Sequence, residues 1–176
     1  MQYLIETEHL GIRIFNATDA QRLYENHSEN EVKQFISNES YTDIDETKDA
    51  IDFYMACVQR NQLPFVLAAV LKETQELIGD IGINGIEGEG HIGEVEIGYS
   101  ICSKYKNRGY ATELVEAMTK FVSHKFDVKV LFGRVIHGNN ASARVLEKNG
   151  YVFLREEFGA EDDPYGKGML IYKKSV

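Results

Sequence analysis

The segment Lys106-Asn107-Arg108-Gly109-Tyr110-Ala111-Thr112 has the residue types and order of an anion site. It follows an apolar strand pattern and opens a helical one, so its last residues form the first turn of a helix. Main-chain N–H groups there have no partner inside the helix, and the helix dipole adds partial positive charge. Gly109 has no side chain to block a diphosphate, and Ala111 is small at the next close approach. Thr112 can donate through its hydroxyl as well as its N–H. Lys106 and Arg108 bring two cations. The plainer alternative is a helix start after a strand loop. Gly88-Glu89-Gly90-His91-Ile92-Gly93 matches G-x-G-x-x-G letter for letter. A dinucleotide fingerprint, however, must follow a strand and open a helix. These glycines fall between two strand patterns and read as a hairpin turn.

The elements that must position the loop follow from periodicity. His9 to Phe15 alternates as a strand. Thr18-Asp19-Ala20-Gln21 reads as a capping box, opening a helix with Ala20, Leu23, Tyr24 and His27 on one face. A short helix through Val32, Phe35 and Ile36 follows. Asp43 to Asp45 then cap a longer helix striped by Ile51, Tyr54, Cys57 and Val58. Phe65–Leu71, Leu77–Ile86 and Ile92–Ile101 read as strands. In the third, Val95, Ile97, Tyr99 and Ile101 share one face, and Glu94, Glu96, Gly98 and Ser100 the other. Gly109 to Phe126 is helical, Val128 to Ile136 is a buried strand, and Ala141 to Lys148 is a helix ended by Asn149-Gly150. Tyr151–Phe158 and Met169–Lys173 are two last strands, joined by the polar loop 159–167. The order is β, α, α, β, β, β, α, β, α, β, β. An antiparallel meander runs into a parallel strand–helix–strand unit with a right-handed crossover. The fold class is therefore α/β (α+β mixed), one domain over residues 1–176, with helices on both faces of a mixed, mostly antiparallel sheet.

Bulk properties narrow the function. The 176 residues suit one domain, and no run approaches the roughly 18 apolar residues of a membrane span. Met1 to Glu6 lack the basic start and apolar run of a leader, which predicts a cytoplasmic protein. Cys57 and Cys102 fall in a helix and a strand and read as reduced thiols, with neither a disulfide framework nor a metal site. A net charge of −9 disfavours nucleic acid as a partner. It suits a basic substrate, such as an amine, a polyamine or a cationic protein terminus, although solubility alone also explains it.

The decisive segment is Asn139-Asn140-Ala141-Ser142-Ala143-Arg144-Val145-Leu146-Glu147-Lys148-Asn149-Gly150-Tyr151. Together with Glu96-Ile97-Gly98-Tyr99-Ser100-Ile101 and Lys106 to Ala111, it resembles the GNAT superfamily of N-acetyltransferases. Within it, the chain is most similar to the RimJ/RimL-like branch, which acetylates ribosomal-protein N-termini. His9-Leu10-Gly11-Ile12-Arg13-Ile14 and Thr18-Asp19-Ala20 resemble that branch too, so the resemblance covers nearly the whole chain.

The resemblance implies a GNAT-like sheet in which two parallel strands, Ile92–Ile101 and Val128–Ile136, splay apart. Acetyl-coenzyme A would lie in the gap, its pantetheine arm bonded to main-chain groups near Tyr99 and Ile101. Its diphosphate would sit on Arg108 to Thr112, flanked by Lys106 and Asn107. Asn139 would bind pantetheine or cap the following helix. The thioester would end near Glu96 and Ser142. Departures from the family are visible. Lys106 stands where Arg or Gln is usual. The Tyr that many members carry seven residues after the motif Asn is Leu146 here, leaving Ser142 as the group near the sulfur. The branch often has an Asp four residues before the last-strand Tyr; counting back from Tyr172 gives Gly168.

Acetyl transfer to an amine needs a base for the amine proton, a donor for the carbonyl oxygen and support for the leaving thiolate. Glu96 is the expected base, acting through a water, and Ser142 the second catalytic residue. The plain alternative for Glu96 is a solvent-facing strand residue paired with a lysine. Glu94 is the fallback base. His137 is a base or substrate contact, or simply a loop residue. Tyr41, Tyr99, Tyr105, Tyr110 and Tyr165 either line an acceptor pocket or are partly buried structural residues. The expected reaction moves acetyl from acetyl-coenzyme A to a primary amine, either a protein N-terminus or a small amine. The expected protein is a monomer or homodimer, engaging neither nucleic acid nor membrane. The alternative is a non-catalytic acyl-coenzyme A binding module.

Overall fold

The computed structural model of the chain describes residues 2–36, 40–86, 93–159 and 168–176. Its strands are β1 (Ile5–Glu6), β2 (Leu10–Arg13), β3 (Phe65–Leu71), β4 (Leu77–Gly85), β5 (Glu94–Ile101), β6 (Val130–Ile136), β7 (Val152–Glu157) and β8 (Met169–Ser175). They form one sheet in the order β1-β2-β3-β4-β5-β6-β8-β7. Every neighbouring pair is antiparallel except β5 and β6. This is the GNAT-like mixed sheet expected from the sequence, with one further strand. β1 is two residues long, too short for alternation to reveal.

Helices cover both faces because both faces of the central strands are apolar. Successive side chains of a strand point to opposite sides. In β3, Leu67, Ala69 and Leu71 join one core cluster, and Ala68 and Val70 another. The first cluster takes in Leu114, Val115, Met118 and Val122 of α4 (Tyr110–Lys125) and Leu146 of α5 (Asn140–Lys148). The second takes in Leu23 of α1 (Ala20–Ser28) and Ile51 of α3 (Ile44–Gln59). A four-residue α2 (Asn30–Lys33) lies between α1 and α3 and is shorter than the expected stretch through Ile36.

Local signals act as the chemistry requires, with one correction. Asp43 caps α3, accepting from the N–H groups of Asp45 and Glu46. Gly150 follows α5 at φ +77°. The capping box, however, is not Thr18 to Gln21. Asn16 accepts from the N–H of Thr18, while Asp19 accepts from the N–H of Asn16. A 3-10 turn (Ala17–Asp19) precedes α1 and moves the box two residues earlier. Arg13 anchors it: its guanidinium grips Asp19 at 2.6 and 2.8 Å, with both side chains buried.

The feature that matters for function is a fork. The parallel register runs Glu94↔Val130, Val95↔Leu131, Glu96↔Phe132 and stops there. β5 continues to Ile101 beside β4, while β6 continues to Ile136 beside β8. Residues Ile97 to Ile101 therefore have a strand on one side only. α5 is seated on β6 beyond the fork. A Cβ on Gly133 would stand 2.6 Å from Leu146 Cδ1, so glycine permits that close packing. The G-x-G-x-x-G match (all but Gly93), Tyr165 and most of loop 159–167 lie outside the described residues. From Glu94 onward the chain is strand.

Candidate active site

A cleft of about 490 Å³ opens at the fork. Tyr99, Ser100 and Ile101 of β5 form one wall. Lys106, Asn107 and Gly109 of the loop, with Tyr110, Ala111 and Thr112 of the first turn of α4, form its end. Asn139, Ser142, Arg144 and Lys148 approach from the α5 side, and Val32 and Phe35 from the region of α2.

The end wall has the geometry of an anion seat. Gly109 is the N-cap of α4 at φ +85°, and no side chain caps the helix. A Cβ at Gly109 would meet nothing within 4 Å, so open space faces its α-carbon. Asn107 also has positive φ, +60°, which Asn tolerates better than most residues. The first-turn N–H groups of a 16-residue helix are thus presented to the cleft. The two loop cations contribute differently. Lys106 lines the cleft and pairs with Glu31 at 3.2 Å. Arg108 is not part of the lining; its guanidinium lies 5.5 Å from the centre of the ring of Tyr105, which is. Tyr105 is held in turn by Glu76, to which its hydroxyl donates at 2.5 Å.

The α5 side joins two predicted residues directly. Asn139 caps α5, its side-chain oxygen accepting from Ser142 N at 3.1 Å. The Tyr99 hydroxyl lies 2.9 Å from Ser142 Oγ and 3.3 Å from Ser142 O. Burial pushes the Tyr99 phenol up to about 12, against the opposing effect of its hydrogen bond with Ser142.

Glu96 stands elsewhere. It points to the sheet face opposite Tyr99 and is not among the residues lining the cleft. Its position is the last paired residue of the fork, and Arg134 Nε approaches its Oε2 at 3.0 Å. Burial raises the Glu96 carboxyl above its ordinary range; the Arg134 charge pulls it back and Glu157 pushes it further up. Its partner is thus an arginine rather than a lysine. Glu94 begins the same strand opposite Val130. His137 follows the end of β6, bonded through Nε2 to Glu156 and stacked on Phe158. Of the expected tyrosines, Tyr99, Tyr105 and Tyr110 line the cleft, and Tyr41 stacks on His27 at 5.0 Å. Cys102 is buried and donates to Glu29 at 3.1 Å; burial pushes its thiol up, away from nucleophilic use.

Sequence reasoning missed Arg134, Arg144, Lys148 and the apolar Val32–Phe35 edge. Arg144 and Lys148 are four apart on one helix face, a spacing that marks them as neighbours. Arg134 is two residues beyond Phe132, which pairs with Glu96, so it shares the Glu96 face of β6.

A model described as an acetyltransferase (GNAT) domain matches residues 9–152. This chain belongs to the GNAT acetyltransferase family. The uncharacterized N-acetyltransferase p20 of Bacillus licheniformis is 28% identical over 165 residues, which span 94% of this acetyltransferase and 89% of the relative. A GNAT-family acetyltransferase structure from Bacillus anthracis has the same fold, with a TM-score of 0.81 at 24% identity, covering 97% of each chain. RimL, a ribosomal L7/L12 alpha-N-protein acetyltransferase solved with coenzyme A, has a TM-score of 0.80 at 17% identity, covering 97% of this acetyltransferase and 96% of RimL. No helix among the described residues is long and apolar enough to cross a membrane.

Proposed function

We propose that this GNAT acetyltransferase takes its acetyl group from acetyl-coenzyme A and delivers it to a primary amine. One observation carries the reading: the half-paired strand edge Ile97–Ile101 and the uncapped N-terminus of α4 open into the same cleft. A buried strand edge needs partners for its main-chain donors and acceptors. The amide-rich pantetheine arm supplies such partners, as a missing strand would. The helix start suits the diphosphate, and Lys106, Arg144 and Lys148 add cations around it.

The fork lets two faces of the sheet share one reaction. The thioester reaches it along Tyr99 and Ile101 from the α4/α5 face, and the amine comes from the α1/α3 face, where Glu96 points. Glu96 takes the amine proton through a water, and its raised pKa brings it nearer a working base. A main-chain N–H of β5 near Tyr99 receives the carbonyl oxygen as charge develops. Ser142 supports the departing sulfur. The amine attacks directly, so no protein nucleophile takes part and Cys102 stays inert.

The acceptor is a cationic primary amine, drawn by Glu96, Glu157 and an overall charge of −9. The RimJ/RimL-like character of the opening strand and the likeness to RimL support a protein N-terminus over a small amine. The test is thiol release from acetyl-coenzyme A against peptides, polyamines and aminoglycosides. Release that depends on one amine class upholds the reading. Binding of coenzyme A with no release across the panel would instead make this a binding module.

A further inference from the structure

Ser142 is the one hydroxyl group of α5 on the cleft, and its own helix does not orient its proton. Asn139 fixes its main chain through the cap. Its Oγ meets a single side chain across the cleft floor, the phenol of Tyr99, 43 residues away in sequence. Two arrangements of the hydrogens are conceivable at 2.9 Å. If Ser142 donated to Tyr99, its proton would point away from the cleft. If Tyr99 donates to Ser142 Oγ, the serine proton is free to turn toward it.

The surroundings favour the second. Tyr99 is half-buried and packs against the apolar core, so its hydroxyl has few other places to donate. The main-chain oxygen of Ser142 lies within the hydrogen-bond ladder of α5 and is a longer 3.3 Å from the phenol. Ser142 Oγ is the nearer and better acceptor. Burial keeps Tyr99 protonated across the working pH range, so it remains a donor.

We infer that Tyr99 is a positioning residue: it donates to Ser142 Oγ and so aims the Ser142 hydroxyl proton at the sulfur leaving from acetyl-coenzyme A. This rests on the reading of the cleft given above, in which Ser142 supports the departing sulfur, and it adds a β5 side chain to that task. When the C–N bond forms and the C–S bond breaks, the electron pair leaves on sulfur. The ammonium gives one proton to solvent before it attacks, and the second proton leaves the nitrogen for Glu96 through water. The thiolate is stabilised by the hydrogen bond from Ser142 and takes its proton from solvent on release. Tyr99 gives up no proton.

The test titrates the thiol of coenzyme A bound to wild type, Tyr99→Phe, Ser142→Ala and the double variant, by thiolate ultraviolet absorbance. Affinity for the sulfur-free desulfo analogue and thermal unfolding are measured on the same proteins. The bound thiol titrates about one pH unit lower in wild type than in either single variant, the worth of one hydrogen bond to a charged sulfur. The double variant matches Ser142→Ala, and desulfo affinity is equal in all four. With an accepted amine, Tyr99→Phe lowers kcat about tenfold at constant KM. A Tyr99→Phe complex whose thiol titrates as in wild type overturns the inference. So does an effect that adds to that of Ser142→Ala, or one confined to unfolding temperature. If coenzyme A fails to bind wild type, the cleft reading falls and this inference with it. Binding with unaltered titration overturns the inference alone.

Discussion

Glu96 Oε2 and Arg134 Nε meet at 3.0 Å, at the register position where β5 and β6 cease to pair. The contact ties the two arms of the fork on the sheet face opposite Tyr99. It also sets the basicity of the proposed base, because burial and Glu157 raise the carboxyl while Arg134 lowers it.

The first prediction follows from that balance. Glu96→Gln lowers kcat about 10²- to 10⁴-fold, the usual worth of a general base, and leaves coenzyme A affinity within about twofold, since Glu96 is outside the cleft lining. A base acts when deprotonated, so kcat/KM rises with pH through the raised Glu96 value. Arg134→Met removes the opposing charge on that carboxyl, and the rising limb moves to higher pH. A limb that stays in place, or moves down, removes Glu96 from the role.

Arg144 and Lys148 are exposed on α5 and both border the cleft. Replacing either with Ala weakens coenzyme A binding about three- to tenfold, and the deficit shrinks as salt is added, because exposed charges are screened. Isothermal titration at low and high ionic strength measures this. An equal loss at every salt concentration would point to packing rather than charge.

Asp19 serves structure alone. It is buried, receives two bonds from Arg13 and one from the N–H of Asn16. Asp19→Asn leaves the Arg13 charge buried without its partner and lowers unfolding stability by about 3–5 kcal/mol. Denaturant titration reads the loss. Acetyl transfer per folded molecule is unchanged, since neither residue reaches the cleft.

The sequence made the loop legible because a helix start is written locally: Gly109, small Ala111 and the apolar period of α4 lie within a few residues. Asn139 to Gly150 was legible for the same reason, with a cap at each end. The alternation that sets Glu96 opposite Tyr99 was readable too. The fork's end at Glu96 was not, because it depends on β6 following β8, a pairing of residues some 40 positions apart. The Tyr99–Ser142 and Glu96–Arg134 contacts escaped for that reason: each joins elements separated by a whole helix. The misplaced capping box has a tertiary cause. Thr18 and Gln21 fit the pattern, but Arg13 draws Asp19 into the box with Asn16. The Arg108 contact was not legible either, since its guanidinium lies over the ring of Tyr105, a cleft-lining residue of the preceding turn.

The central claim is that the main chain from Gly109 to Thr112, more than the neighbouring cations, holds coenzyme A in the fork. Calorimetric titration of coenzyme A into wild type and Gly109→Glu tests it most directly, with circular dichroism to verify the fold. A carboxylate placed at the helix start, at a residue with φ +85° and open space before it, meets the diphosphate head-on. Affinity should fall by about 100-fold or more. Equal affinity in the two folded proteins would contradict the account and move the cofactor away from α4.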